Sequence, residues 1–126
     1  VWEDSCVEFF CQKPGDTRYF NFEFNARGVC LASSRISRDE GVEYLLVEQL
    51  QQIRRTAEVG DKAWSLLVEI PLSLIAPDFM LPLTLHVNFY KCGDKCVRPH
   101  YLSWNPIHLP KPMFHCPQYF GKAVSD

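Results

Sequence analysis

The sequence lacks the features of several large classes of protein. No apolar run approaches the roughly 18 residues of a membrane-spanning helix. No signal peptide is visible, and the chain begins with Val1 rather than Met, so we expect a cut or processed start. Basic residues are scattered, with Arg54 and Arg55 as the only adjacent pair. Together with a net charge of −2, this argues against a nucleic-acid binder that relies on a basic surface.

The sequence also lacks the motifs of common catalytic sites. It contains no Ser-His-Asp order, no glycine-rich phosphate loop and no metalloprotease motif. Glu8 and Glu23 could form the carboxylate pair of a glycosidase if their strands are neighbours. Carboxylates are nevertheless common on the polar side of any strand. We therefore predict that the protein is not an enzyme.

Six cysteines permit disulfides without identifying them. Cys6 and Cys11 lie on one predicted strand at an odd separation, so their side chains point to opposite faces. Cys92 and Cys96 flank a turn that could bring them together. A zinc site is not favoured, because no second closely spaced Cys or His pair is present. The alternatives are a Cys92–Cys96 disulfide or a set of buried thiols.

Alternation of apolar and polar residues predicts most of the strands. Residues 18–25 place three phenylalanines on one side and polar side chains on the other, the pattern of a half-buried strand. Residues 6–12 form its predicted hairpin partner, across a turn at residues 13–16. Further strands are predicted at 29–32, 53–59, 63–70, 83–90, 101–104 and near Phe120, with a surface loop over 33–41. Many short strands with little helix indicate an all-β fold, an antiparallel β-sandwich of the immunoglobulin or jelly-roll kind, as one domain over residues 1–126.

Several segments in order resemble carbohydrate-binding modules of family 9. They are residues 1–10, 19–25, 87–94, 101–106 and 114–121. In the first, Trp2 precedes a strand that reads Val-Glu-Phe-Phe. The resemblance covers nearly the whole chain and is closest to the branch common in Bacteroidetes. That family is a β-sandwich related to DOMON domains. Its domains usually have strands before the first of these segments, so the resemblance implies that N-terminal strands are lacking from this chain.

The resemblance implies a non-catalytic site for a mono- or disaccharide. Family members hold a sugar, preferably by its reducing end, between two Trp rings, which Trp2 and Trp104 would supply. Glu8 corresponds to the family's sugar-binding carboxylate and Asn25 to a polar position on the second strand. Glu23 stands where some members carry arginine, which changes the hydrogen-bonding pattern. The predicted carbohydrate-binding residues are Trp2, Glu8, Glu23, Asn25, Asn88, Tyr90 and Trp104.

Other functions stay open. Some DOMON relatives bind haem through Met and His, and the candidates here are Met80, Met113, His86 and His115. A structural or protein-interaction sandwich without a small ligand is a further alternative. No cofactor is expected apart from structural calcium, for which the candidate ligands are Asp4, Asp16 and Asp61. The family implies an exported protein (periplasmic, cell-surface or extracellular) used in polysaccharide utilisation, with a fused or associated glycoside hydrolase as partner.

Overall fold

Two antiparallel β-sheets dominate the computed structural model, which describes residues 5–126. The larger sheet has the strand order β4-β3-β2-β1-β7-β8, and β9 also pairs with β7. The smaller sheet contains β5 and β6. The strands are β1 (Cys6–Gln12), β2 (Tyr19–Asn25), β3 (Cys30–Arg35), β4 (Glu43–Tyr44), β5 (Arg54–Val59), β6 (Trp64–Glu69), β7 (Leu83–Gly93), β8 (His100–Ser103) and β9 (Gly121–Ser125). The predicted all-β antiparallel sandwich is confirmed.

The hairpin of β1 and β2 fixes which side chains share a face. Its turn is closed by the amide of Asp16, which donates to the carbonyl of Lys13 at 3.1 Å. Gly15 has φ +80°, a conformation that side chains rarely adopt. With this turn, Glu8 lies directly opposite Glu23. Because side chains alternate along a strand, the hairpin has one apolar and one partly acidic face, as the sequence predicts.

The main core lies between the apolar face of the larger sheet and the β5–β6 hairpin. Two four-residue helices, α1 (Val47–Leu50) and α2 (Leu72–Ile75), pack at its margin. Its buried members are Cys11, Phe22, Phe24, Ala32, Ile53, Ile75, Leu85 and Val87. Among residues 5–126, no helix is long and apolar enough to cross a membrane.

The opposite face of the larger sheet is partly covered as well. Phe10, Tyr19 and Tyr90 form a buried aromatic cluster on this face. Ile107, Phe114 and Phe120, from the long segment that joins β8 to β9, pack over that cluster. The uncovered part of the same face is the polar surface around Glu8 and Glu23.

One predicted boundary is wrong in a way that affects the site. The sequence predicts that β3 ends at Ala32 and that a surface loop follows, whereas β3 continues to Arg35. Ser33 pairs with Asn21 of β2 and with Tyr44 of β4, so this polar stretch lies inside the sheet. These polar residues are accommodated within the sheet because the side chains of Ser33, Asn21 and Arg35 hydrogen-bond to one another.

Candidate functional site

A polar cleft of about 370 Å³ opens on the uncovered part of the larger sheet. Its floor is formed by β1, β2, β3 and β7, and residues from the β4 and β8 strands stand at its two sides. The lining residues are Glu8, Glu23, Leu31, Arg35, Arg38, Asp39, Tyr44, Cys92, Asp94, Tyr101, Pro112, Met113, Phe114 and His115. The volume lies at the small end of the range for ligand pockets.

Two buried carboxyl groups face each other at the centre of the floor. Glu8 and Glu23 are directly opposite on β1 and β2, and each is 6% exposed. Glu23 Oε1 accepts a hydrogen bond from the Asn21 amide at 3.1 Å. Glu23 Oε2 is buried and has no hydrogen-bond partner among the described residues. A buried oxygen without a partner is costly, so this atom is available to a donor from a bound molecule.

Both carboxyl groups hold their protons more tightly than usual. Burial, and then the nearby Glu23 charge, raises the pKa of Glu8 to about 8. Hydrogen bonds from the thiols of Cys92 and Cys6 act in the opposite direction. Burial also raises the pKa of Glu23, against the lowering effect of Arg35. At neutral pH the pair can therefore both donate and accept hydrogen bonds.

Arg35 is the side-chain cation that acts on the pKa of Glu23, and hydrogen bonds to β2 and β3 hold it in place. Its Nε donates to Ser33 Oγ at 2.8 Å and to Asn21 Oδ1 at 3.0 Å. Its Nη1 donates to the carbonyl of Arg38 at 2.7 Å. The guanidinium also lies 5.9 Å from the ring centre of Tyr44. These contacts fix a cation beside Glu23 at one side of the cleft.

Aromatic rings stand on both sides of the floor. Tyr44 on β4 is 59% exposed and Tyr101 on β8 is 44% exposed. Phe114 lies between Tyr101 and Tyr90, and it stacks on Tyr90 with ring centres 4.1 Å apart. Flat, exposed rings beside buried polar groups suit a ligand with one apolar surface and several hydroxyl groups.

His115 closes the cleft where it meets the aromatic cluster. Its Nδ1 lies 2.8 Å from the hydroxyl of Tyr19, and its ring packs edge-on against Phe10. Burial, with Arg35 and Arg38 nearby, lowers the pKa of His115 to about 4. The ring is therefore neutral at pH 7, and it lines the cleft while it is hydrogen-bonded to Tyr19.

The structure brings two of the predicted sugar-binding residues, Glu8 and Glu23, into this cleft. Trp2 lies outside the described residues. Trp104 lies beside a larger apolar groove, of about 740 Å³, between the two sheets. There its ring contacts Phe89 edge-on and covers Gly121, where a Cβ would come within 2.6 Å of the ring.

The three other predicted residues make internal contacts. The Asn25 side chain accepts hydrogen bonds from the amides of Arg27 and Val29 and so closes the turn after β2. Asn88 is fully buried and bonds to the backbone of Asn105 and Tyr119. Tyr90 donates to the carbonyl of Phe114 at 3.1 Å. Asn88 and Tyr90 thus hold the segment that carries Phe114 and His115, at the side of the cleft.

Sequence reasoning missed Arg35, Tyr44 and Tyr101. Arg35 was hidden by the early end predicted for β3. With the strand extended, Leu31, Ser33 and Arg35 alternate onto the Glu23 face. On β8, Tyr101 pairs with Cys92 and shares its face with Glu8. Trp104 is three residues further on, so in an extended chain it points away from that face.

The candidate haem ligands divide between the cleft and other places within residues 5–126. Met80 is 82% exposed and His86 lies on β7, whereas Met113 and His115 line the cleft. The carboxylate of Asp16 accepts a hydrogen bond from the amide of Arg18, and Asp4 lies outside the described residues.

One group of potential metal ligands occurs within residues 5–126. It consists of Cys6, Glu8 and Cys92, with ligand atoms within 4.8 Å of one another.

Comparison with known proteins identifies the fold and the family of the chain. The crystal structure of a candidate carbohydrate-binding protein from Bacteroides uniformis has the same fold, with a TM-score of 0.87 and 40% sequence identity. The match covers 98% of this chain and 62% of that protein. No significant relative is found among the curated proteins. The sequence profile of carbohydrate-binding family 9 matches residues 1–124, and the chain belongs to that family.

Proposed function

We propose that the polar cleft binds a mono- or disaccharide, without catalysis, and that Glu8, Glu23 and Arg35 bind its hydroxyl groups. Membership of a carbohydrate-binding family supports the class of ligand. The observation that carries the proposal is the buried pair of carboxyl groups, in which Glu23 Oε2 has no partner among the described residues. Sugar hydroxyls both donate and accept hydrogen bonds, and charge-assisted bonds to carboxylates and guanidinium groups are the strong ones.

The rings of Tyr44 and Tyr101 provide the apolar contacts of the proposed site. A pyranose has patches of C–H groups on its faces, and these pack well against aromatic rings. Trp2 remains a predicted stacking residue. A preference for the reducing end is part of the proposal, because the family resemblance implies it.

The proposed setting is outside the cytoplasm. Carbohydrate-binding modules of this family are typically secreted, and we propose that this chain serves polysaccharide utilisation beside a glycoside hydrolase. In that setting the module would keep the enzyme near its substrate. The chain itself then needs a binding site and no nucleophile or general acid.

Calorimetric titration tests the proposal directly. Glucose, xylose, cellobiose and xylobiose, and the same disaccharides in reduced form, are titrated into the protein and into Glu23→Gln. Saturable binding is expected for at least one sugar and is lost with its reduced form. Loss of a hydrogen bond to a charged group costs about 1.5–3 kcal/mol, so Glu23→Gln is expected to weaken binding roughly tenfold to a hundredfold.

Glu69→Gln is the matched control, because Glu69 is an exposed carboxylate of β6, outside the lining of the cleft. The affinity of Glu69→Gln for each sugar should equal that of the unchanged protein. A folded protein that binds none of these sugars, or equal binding by Glu23→Gln, would contradict the proposed site. Binding with equal affinity to reduced sugars would contradict only the preference for the reducing end.

A further inference from the structure

Two cysteines at the edge of the cleft face each other across neighbouring strands. Cys6 on β1 and Cys92 on β7 are directly opposite in the antiparallel register, and their Sγ atoms lie 2.6 Å apart. Opposed residues in antiparallel strands have Cα atoms about 4.5–5.5 Å apart, within the range that a disulfide spans. A bond between the two sulfurs therefore needs no rearrangement of the backbone.

The pair stands apart from the other cysteines. Cys11 is on the opposite face, within the main core, and Cys30 lies on β3. The thiol of Cys116 is directed at the carbonyl of Met113, 3.0 Å away. Cys96 packs over Gly93 in the turn after β7, and the Cys92 thiol is directed at Cys6. The geometry thus favours Cys6 as the partner of Cys92.

The sulfur spacing also distinguishes a disulfide from a metal site. Cys6, Glu8 and Cys92 could together offer ligands to a metal ion. Two thiolates on one tetrahedral zinc ion, each with a Zn–S bond of about 2.3 Å, stand roughly 3.7 Å apart. The observed 2.6 Å is well below that separation.

Cys92 is 3% exposed and contributes to the lining of the cleft, whereas Cys6 is fully buried, so Cys92 is the thiol that a reagent in the cleft would meet first. The hydrogen bond with Cys6, and then burial, raises the pKa of the Cys92 thiol. Thiol–disulfide exchange proceeds through the thiolate, so oxidation at Cys92 should accelerate as the pH rises.

We propose that Cys6 and Cys92 form a disulfide between β1 and β7 under oxidising conditions, and that this bond changes the hydrogen bonding of Glu8 in the cleft. The coupling to Glu8 rests on the proposed function only where it is measured as a change in sugar affinity. The oxidant is a small-molecule disulfide such as oxidised glutathione. One cysteine thiolate attacks it and releases one reduced thiol. The other cysteine attacks the mixed disulfide and releases the second, and the two cysteine protons end on the released thiols.

The effect on Glu8 follows from the loss of two donors. The Cys92 and Cys6 thiols lie 3.3 Å and 3.8 Å from Glu8 Oε1, and each can donate its one proton either to that oxygen or to the other sulfur. A disulfide has no S–H group. The other groups whose charge acts on Glu8 are Glu23 on β2 and Asp94 beyond β7, and both disfavour its ionised form. The disulfide should therefore keep Glu8 protonated to higher pH.

Peptide mapping tests the bond. The whole chain is incubated with oxidised and reduced glutathione at pH 8.5, blocked with iodoacetamide and digested without reduction for mass spectrometry. The expected product is a peptide that joins Cys6 to Cys92. Cys92→Ser should lack it, and Cys30→Ser should retain it. Absence of the peptide, a Cys92–Cys96 link, or a stoichiometric metal bound by the reduced protein would overturn the proposal.

Two readouts test the coupling to Glu8. Titration of the Glu8 carboxyl by ¹³C NMR should give a higher pKa in the oxidised protein, whether or not any sugar binds. Sugar affinity at pH 8.5 should be about tenfold weaker after oxidation, because a charged acceptor is replaced by a neutral one. An unchanged Glu8 titration would overturn the coupling. If Glu8 shifts while no sugar binds in either state, the disulfide and its coupling stand and the proposed function falls.

Discussion

The two faces of the larger sheet use the same strands for opposite purposes. One face carries phenylalanines and aliphatic residues and borders both the main core and the apolar groove of about 740 Å³. The other carries the polar cleft, which is half that size at about 370 Å³. The larger space has few polar groups, whereas the smaller one gathers carboxylates, arginines and tyrosines. For a ligand rich in hydroxyl groups, the polar groups favour the smaller cleft as the candidate site.

The same comparison separates stability from function. Burial of apolar side chains on one face stabilises the fold, whereas the opposed carboxyl groups Glu8 and Glu23 on the other face oppose it. Sites that place polar groups for a ligand commonly carry this kind of cost. Substitutions on the two faces should therefore change different quantities.

The largest effect is expected from the apolar face. Phe22→Ala removes a fully buried ring of the main core and should lower the free energy of unfolding by about 3–5 kcal/mol. Urea unfolding followed by circular dichroism measures this change. Leu67→Ala, at a position 63% exposed on β6, should change stability by well under half as much. Similar losses for the two variants would remove the distinction between core and surface.

Substitution of Glu8 on the polar face is expected to raise the free energy of unfolding instead of lowering it. Its folded pKa of about 8 lies above the ordinary 4.5, so its protonation stabilises the folded state. That contribution is complete below pH 4.5 and is lost as the pH rises through 8. Glu8→Gln should match the unchanged protein at acidic pH and exceed its stability at pH 8, by on the order of 4 kcal/mol. Urea unfolding across this pH range measures the difference. If the stability of the two proteins changed with pH in the same way, the buried Glu8 carboxyl would not destabilise the fold at pH 8.

A smaller effect distinguishes the aromatic residues of the two faces. Tyr101→Ala removes a ring beside the polar cleft and should weaken sugar binding about fivefold, because a stacking contact contributes roughly 1 kcal/mol. Trp104→Ala removes a ring beside the apolar groove and should leave sugar affinity within about twofold. Calorimetric titration of both variants gives the answer. The reverse ranking would move the sugar site to the groove side of the sheet.

Much of the fold was predictable from alternation. The aromatic strand β2 has a clean period of two, and the sequence assigns Val7, Phe9 and Cys11 of its partner β1 to the same apolar face, as the register confirms. The end of β3 was not predictable, because Ser33 and Arg35 are typical loop residues by composition. Their place in the sheet depends on bonds to Asn21 from a neighbouring strand, which are tertiary contacts.

The candidate site was predictable only in part. Glu8 and Glu23 could be placed on one polar face from the sequence. The pairing of β1 with β7, which brings Cys92 to the same floor, joins distant segments and leaves no local pattern. The register between β7 and β8 determines that Tyr101 points to the cleft. Strand registers of this kind follow from packing across the whole sheet.

The pairing of β1 with β7 also has a kinetic consequence. Cys6 and Cys92 are 86 residues apart, so this pairing must close a long loop, whereas β1 to β4 and β7 to β8 form through short connections. The cleft takes residues from both groups of strands, and it can exist only after they join. During refolding, recovery of sugar binding should therefore lag behind the formation of local hairpins and report the completion of the sheet.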